Sequence, residues 1–139
     1  MSLTLIKPYF RARLNTLGLY EWTDGFPSDN IPSTLVEESY QHNIEDITGG
    51  ALGAVDHGFN VSYLVEVFFN GYRDVKSNID RAVSRGEDIV IEVCNPANYG
   101  FDVQRVELAS MRAVPLDAEL NDNVIKLEMR FDVRVSVCF

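Results

Sequence analysis

The fold is decided by residues 125–139, which read IKLEMRFDVRVSVCF. Apolar side chains occupy every second position from Ile125 to Phe139, and mostly charged or polar side chains stand between them. Successive side chains of a β-strand point to opposite faces, so this period of two predicts a long strand with one buried face. The stretch is the most regular in the chain, and the other elements are placed around it.

A second strand is predicted from Val61 to Phe69, where apolar residues again alternate. Leu64 and Phe68 are apolar on its opposite face, so this strand is either covered on both sides or part of an interface. The stretch from Thr34 to Ile47 looks extended but mixes polar and apolar residues, which suggests an exposed hairpin arm. A glycine-rich loop is expected between the arm and the strand, at Gly49, Gly50, Gly53 and Gly58.

Two helices are predicted from a spacing of three and four residues. The first carries an apolar stripe from Ile6 to Leu17 and ends at Gly18, and the second runs from about Tyr72 to Arg85 and stops at Gly86. Short strands are expected at 89–93 and at about 103–114, with a turn at 95–100. The expected fold is therefore α+β, an antiparallel (mixed) β-sheet with two helices packed on one face and a protruding β-hairpin arm.

At 139 residues, with 46% hydrophobic and 24% charged residues, the chain is expected to form one ordinary domain, 1–139. Its net charge of −9 should repel a phosphate backbone, which argues against binding nucleic acid through a basic patch. The same charge suits a channel through which DNA passes without adhering. Lys7, Pro8 and Arg11 interrupt the first apolar residues, so no secretory signal or membrane span is predicted there.

The sequence contains no recognisable catalytic centre. His42 and His57 are the two histidines, and both fall in or beside the predicted arm, where they could touch across it. A metal site would need further ligands of clear spacing, so solvated loop histidines are favoured. Cys94 and Cys138 are expected to be reduced thiols in strands.

A calcium-loop spacing also occurs near the C-terminus, at Asp117, Glu119, Asn121 and Glu128. Asp122 stands where such a loop needs glycine, and Glu128 belongs to the predicted strand, so a polar turn is favoured. No metal ligand, cofactor-binding residue or catalytic residue is therefore assigned, and the chain is not expected to be an enzyme.

The order of these features resembles the lambda-type phage tail terminator, also called minor tail protein U, and the related tail-completion proteins of long-tailed phages. The resemblance is one of layout across most of the chain. The matching pieces are the helix closing on Leu17-Gly18, the Phe26-Pro27 and Ile31-Pro32 pairs, the arm leading to Val65–Phe69, the helix with Ile79 and Val83, and the C-terminal strand.

The resemblance implies a virion structural protein of the tail or neck, assembled in the host cytoplasm as a homo-hexameric ring. Such a ring caps the tail tube protein and joins it to a neck or head-completion protein, with no catalytic residues, cofactor or membrane. Six copies, each at −9, would carry about −54, and DNA would pass through the lumen without specific binding. The interface candidates, chosen because aromatic and apolar anchors dominate interfaces, are Trp22, Phe26, Tyr40, Leu64 and Phe68.

Other functions stay open at this point. A head-tail connector or a tail tube subunit would share the virion setting. In a different class, a small ligand-binding or enzymatic domain resembling the NTF2-like fold would need a pocket with a buried carboxylate or histidine near a tyrosine, such as Tyr63 or Tyr99. For each interface candidate, ordinary core packing is the alternative.

Overall fold

The computed structural model describes residues 2–22, 38–51, 56–69, 75–100, 103–115 and 124–138. In these ranges the chain forms the predicted α+β fold, with helices and a mixed five-stranded sheet. The elements are a 3-10 helix (Ser2–Leu5), α1 (Ile6–Thr16), β1 (Tyr20–Glu21), β2 (Ser39–Ala51), β3 (Asp56–Phe69), α2 (Val75–Val93), a 3-10 turn (Pro96–Asn98), β4 (Val103–Pro115) and β5 (Ile125–Cys138).

The strand order across the sheet is β1-β2-β3-β5-β4. Every neighbouring pair is antiparallel except β1 with β2, which is a short parallel pair. The C-terminal strand β5 lies between β3 and β4 and pairs with both along most of its length. Its central position explains why its period of two is so regular, because one of its faces lies in the core from Ile125 to Val135.

The predicted alternation of β5 is confirmed in the described residues. The apolar positions from Ile125 to Val135 are at most 1% exposed, and the side chains between them are charged or polar and lie on the opposite face. The buried positions are Ile125, Leu127, Met129, Phe131, Val133 and Val135. Phe139 lies outside the described residues.

Both helices pack on this apolar face. The ring of Phe10 in α1 stacks on that of Tyr63 in β3, with centroids 4.0 Å apart and planes at 12°. Phe131 of β5 contacts the same phenylalanine, at 5.5 Å between ring centroids. The two helices are joined by the hydroxyl of Tyr9, which donates to the carbonyl of Val93 at 2.6 Å.

The predicted end of the second helix at Gly86 is wrong, as is the predicted strand at 89–93. The helix continues to Val93, and Ile89 and Val93 are fully buried along the same stripe as Ala82. A Cβ at Gly86 would lie 2.5 Å from the sulfur of Met111 in β4, so this glycine permits close packing of helix on sheet. The β-branched residues after it imitate a strand, but burial of their helical stripe decides the outcome.

The predicted arm is a long hairpin formed by β2 and β3. Gly49 and Gly50 lie in β2 and Gly58 lies in β3, so the prediction of a loop at these three glycines is wrong; Gly53 lies outside the described residues. Gly49 is needed in the strand because the ring of Phe59 lies where its Cβ would be, at 2.5 Å. Throughout the hairpin β3 remains paired with β5, and the outer part of β2 is exposed.

Candidate functional site

A buried polar cluster joins β1, β2 and β3 next to α1. Its centre is His42, whose side chain is 2% exposed. The Nε2 atom of His42 lies 2.5 Å from a carboxylate oxygen of Glu21, and its Nδ1 atom lies 2.7 Å from the hydroxyl of Tyr63. Arg11 donates from Nε to both carboxylate oxygens of Glu21, at 2.8 and 3.0 Å. The cluster therefore links the middle of α1 and the short strand β1 to the middle of the sheet.

The cluster fits a neutral imidazole beside an ionised carboxylate. Burial lowers the pKa of His42, and the nearby Glu21 only partly opposes this. Burial would raise the pKa of Glu21, but hydrogen bonds from His42 and Arg11 outweigh it, and the pKa lies below its usual value. A neutral His42 can donate from Nε2 to Glu21 and accept from Tyr63 at Nδ1, which uses both ring nitrogens.

A surface indentation of about 300 Å³ lies beside the cluster. The cations at its wall are engaged, since Lys7 donates to the amide oxygen of Asn43 at 3.1 Å and Arg11 is bound to Glu21. The lining residues are Lys7, Arg11, Glu21, Trp22, Gln41, His42 and Asn43. A histidine close to Tyr63 is what the NTF2-like alternative requires. Because both ring nitrogens of His42 already have partners, this histidine has no free nitrogen for a substrate or a metal.

The two histidines do not meet, so the expectation that they could touch across the hairpin is wrong. In the strand register His42 lies opposite Val65, whereas the backbone of His57 lies opposite Ala51. Eight residues separate these points along β3, which is about 26 Å in an extended strand. The prediction of solvated histidines is also wrong for His42, whose side chain is buried. Its burial depends on partners far away in sequence.

The calcium-loop spacing does not form a binding loop at its last position. Glu128 lies inside β5 and binds Lys126 at 2.8 Å and Arg112 at 3.0 Å. The hydrogen bond from Lys126 is the main reason that the pKa of Glu128 is low. Asp117, Glu119 and Asn121 lie outside the described residues. Among the residues that are described, no group of three or more His, Cys, Asp or Glu side chains is placed to hold a metal ion.

The face of the sheet opposite the helices carries paired charges. Lys126 lies between Glu66 and Glu128, at 3.2 and 2.8 Å, and Arg112 and Arg130 also approach Glu128. All of these side chains project from the central strands β3 and β5 or from the edge strand β4. Glu66 and Glu128 therefore each have a cation beside them.

The five interface candidates fall in different environments. Tyr40 is fully buried, and its hydroxyl donates to an asparagine oxygen of α1 at 2.7 Å, so its side chain belongs to the interior of one copy. Phe68 is only 3% exposed although it lies on the face opposite the helices. Leu64 and Trp22 are half-buried and keep some surface available. Phe26 lies outside the described residues. The assignment of these residues to an interface stays a prediction.

Sequence reasoning missed Glu21 and Arg11 as members of the buried cluster. Neither belongs to a recognisable motif, and Glu21 is 21 residues away from the histidine that it binds. The other tyrosine considered for a pocket, Tyr99, is also structural, because its hydroxyl accepts from the backbone nitrogen of Val106 at 2.9 Å. Only the spatial arrangement of the strands reveals these contacts.

The described elements define an α+β fold, a mixed sheet covered by two helices on one face, that also occurs in a solved virion structure. That structure is described as "Virion of native gene transfer agent (GTA) particle", and the similarity covers 91% of this chain and 84% of the other, with a TM-score of 0.57 and 12% sequence identity. At this identity the similarity shows a shared fold. No protein-family model and no curated protein sequence matches the chain.

In the part of the chain that the structure describes, neither helix has the length and apolar character that crossing a membrane requires.

Proposed function

We propose that this chain is a structural protein of a phage-like virion and that it acts as a tail terminator or tail-completion subunit. The observation that carries the proposal is the fold shared with a chain of a gene transfer agent virion over 91% of the present chain. A similarity of that extent involves the whole arrangement of helices and sheet. It therefore supports a role for the entire domain in a particle.

The chemistry of the buried cluster also favours assembly over catalysis. A general base needs a nitrogen or oxygen that can reach a substrate, and a nucleophile needs a base beside it. Both ring nitrogens of His42 are occupied, and the thiol of Cys94 has a pKa raised chiefly by burial, which keeps it protonated. These groups stabilise the fold, and neither ring nitrogen of His42 is free to act at the surface indentation.

In the proposed role, six copies form a ring that caps the tail tube protein and presents its other side to a neck or head-completion protein. The net charge of −9 per copy supports a lumen that DNA crosses without adhering. The same fold similarity is compatible with a head-tail connector or a tail tube subunit in the same particle. The three roles differ in the virion protein that the ring binds.

The test is the assembly state of the purified chain. Light scattering after gel filtration, followed by negative-stain imaging, should show closed rings whose mass is six times 15.7 kDa, about 94 kDa. The sample is measured over a concentration series, alone and with the tail tube protein encoded by the same virus or element. Binding to one end of the tube supports a terminator, and incorporation along it supports a tube subunit. A monomer in every sample, with or without tube protein, contradicts the proposal.

A further inference from the structure

The sheet has two edges, and at the first edge the described residues cover the start of the outer strand. β1 pairs with Ser39 and Tyr40 at the start of β2, and the backbone nitrogen of Trp22 donates to the carbonyl of Tyr40 at 2.8 Å. A bulge at Glu45 follows. Beyond it, residues 46–51 pair with β3 on their inner side, and no described strand pairs with their outer side.

The second edge, β4, is also half covered. The hydroxyl of Tyr99 accepts from the nitrogen of Val106 at 2.9 Å and lies 3.3 Å from its carbonyl oxygen, and the backbone of Leu108 hydrogen-bonds the sulfur of Cys94. A bulge follows between Leu108 and Ser110. Beyond it, residues 110–115 pair with β5 on their inner side, and their outer side has no strand beside it within the described residues.

The two open halves match each other. Each contains six residues after a bulge, 46–51 in β2 and 110–115 in β4. Glu45 and Asp46 give the first a negative end, whereas Arg112 in the second has a side chain that is 71% exposed. Asp46 and Arg112 project from the same face of the sheet, the face opposite the helices, because they stand in register with residues of that face.

We propose that the open half of β2 in one copy pairs with the open half of β4 in the next copy, so that one sheet continues from subunit to subunit. This inference rests on the proposed ring. A ring of more than two copies repeats a contact between two different surfaces, and the two edges of the sheet supply such surfaces. Unpaired backbone groups at a sheet edge bind another strand by main-chain hydrogen bonds.

The side chains assist this contact. The carboxylate of Asp46 accepts a hydrogen bond from the backbone nitrogen of Ile47 at 3.0 Å. When Arg112 of the next copy binds this carboxylate, the nitrogen of Ile47 is released to the neighbouring strand. Glu128 loses one partner in this exchange but retains Lys126 at 2.8 Å. Ile47, which is 44% exposed in one copy, gains apolar burial at the same contact.

Two substitutions test the pairing. In an antiparallel pair, the backbone groups of successive residues alternately bond to the partner strand and point away from it. The nitrogen of Val106 points away from β5, and counting through the bulge shows that the backbone nitrogen of Ala113 does so too. Ala113→Pro therefore removes an edge donor and no bond to β5. Arg112→Glu places like charges at the contact. Each variant should raise the concentration at which half of the chains are assembled by about tenfold or more.

The matched control is Arg105→Glu, which reverses an exposed arginine in the covered half of the same strand and should assemble as the wild type does. The double variant Asp46→Arg with Arg112→Asp exchanges the two charges, so it should assemble more readily than Arg112→Glu. Circular dichroism checks that each variant is folded. Should Ala113→Pro fail to fold, hydrogen exchange of the wild-type ring decides, since residues 46–51 and 110–115 must gain protection relative to the dissociated chain.

The outcomes separate this inference from the proposed function. If folded Arg112→Glu and Ala113→Pro form rings as readily as the wild type, the pairing is overturned and the ring is still supported. The same holds if the wild-type ring shows no added hydrogen-exchange protection at the two open halves. A wild-type chain that never assembles removes the ring itself.

Discussion

Two glutamates offer a matched comparison of what burial adds to an ion pair. Glu21 accepts from the Nε atom of Arg11 at 2.8 Å, and Glu45 accepts from the Nε atom of Arg130 at 2.9 Å. Only Glu21 also accepts from a buried group, the Nε2 atom of His42. Substituting each glutamate by alanine therefore removes a similar arginine pair, and in one case it also removes the partner of a buried donor.

The expected losses follow from that difference. Glu45→Ala breaks an exposed pair, which contributes about 0–1 kcal/mol to the free energy of unfolding. Glu21→Ala breaks a comparable pair and leaves the Nε2–H group of His42 without its acceptor, which costs about 1–3 kcal/mol more. In a chain of this length, 2 kcal/mol corresponds to a decrease in Tm of roughly 8 °C.

Urea unfolding followed by far-UV circular dichroism measures both variants, and an unchanged m value shows that the comparison is sound. Glu21→Gln is the third variant, because its amide oxygen can still accept from His42 while the charge is lost. It should lose clearly less stability than Glu21→Ala. If Glu21→Ala costs no more than Glu45→Ala, the buried hydrogen bond of His42 does not stabilise the fold as argued.

Three further outcomes are expected. Phe10→Ala removes a fully buried ring stacked on Tyr63 and should lower the free energy of unfolding by about 3–5 kcal/mol. Leu5→Ala, at an exposed position, should change it by less than about 1 kcal/mol, and chemical unfolding that gave equal losses would contradict the assigned core. Gly86→Val places side-chain carbons against the sulfur of Met111, which lies 2.5 Å from an ideal Cβ. The free energy of unfolding should therefore fall by roughly 1–3 kcal/mol, and a rise would mean that the helix does not pack so closely on β4. Burial holds the pKa of His42 below its usual value, so the unfolded chain binds a proton more readily, and the free energy of unfolding falls as the pH decreases below about 6.5. Thermal unfolding from about pH 8 to about pH 5 should show this slope, and His42→Gln should flatten it.

Much of the fold was accessible from the sequence because the core lies on one face of the sheet. In β5 and β3 each buried residue is flanked by polar or outward-facing ones, so the local period reports burial directly. The stripe of α1 was found for the same reason. The second helix was misjudged because Gly86 and the branched residues after it have local preferences that differ from their role, and packing against β4 overrides those preferences.

The buried cluster could not have been predicted from the pattern alone. His42 lies in a strand segment rich in polar residues, which reads as exposed. Its burial depends on Glu21, 21 residues before it, and on Tyr63, 21 residues after it. A parallel pair such as β1 with β2 gives no alternation of its own when only two residues take part. The partners of a buried polar group are non-local, and a single sequence does not specify them.

The polar groups at the two ends of the sheet have a common consequence. His42 and Glu21 hold β1 against the first half of β2, and Tyr99 occupies the outer backbone groups of β4 at Val106. A fully open edge would pair with any extended chain, so covering part of each edge limits unwanted association. Within the described residues, a six-residue segment between a bulge and the end of the strand has no strand beside it at either edge. These covering interactions form within one subunit, so they are in place before any partner arrives. Under the proposed pairing, the buried contacts of His42 and Glu21 at one edge and of Tyr99 at the other limit how far one subunit can overlap the next.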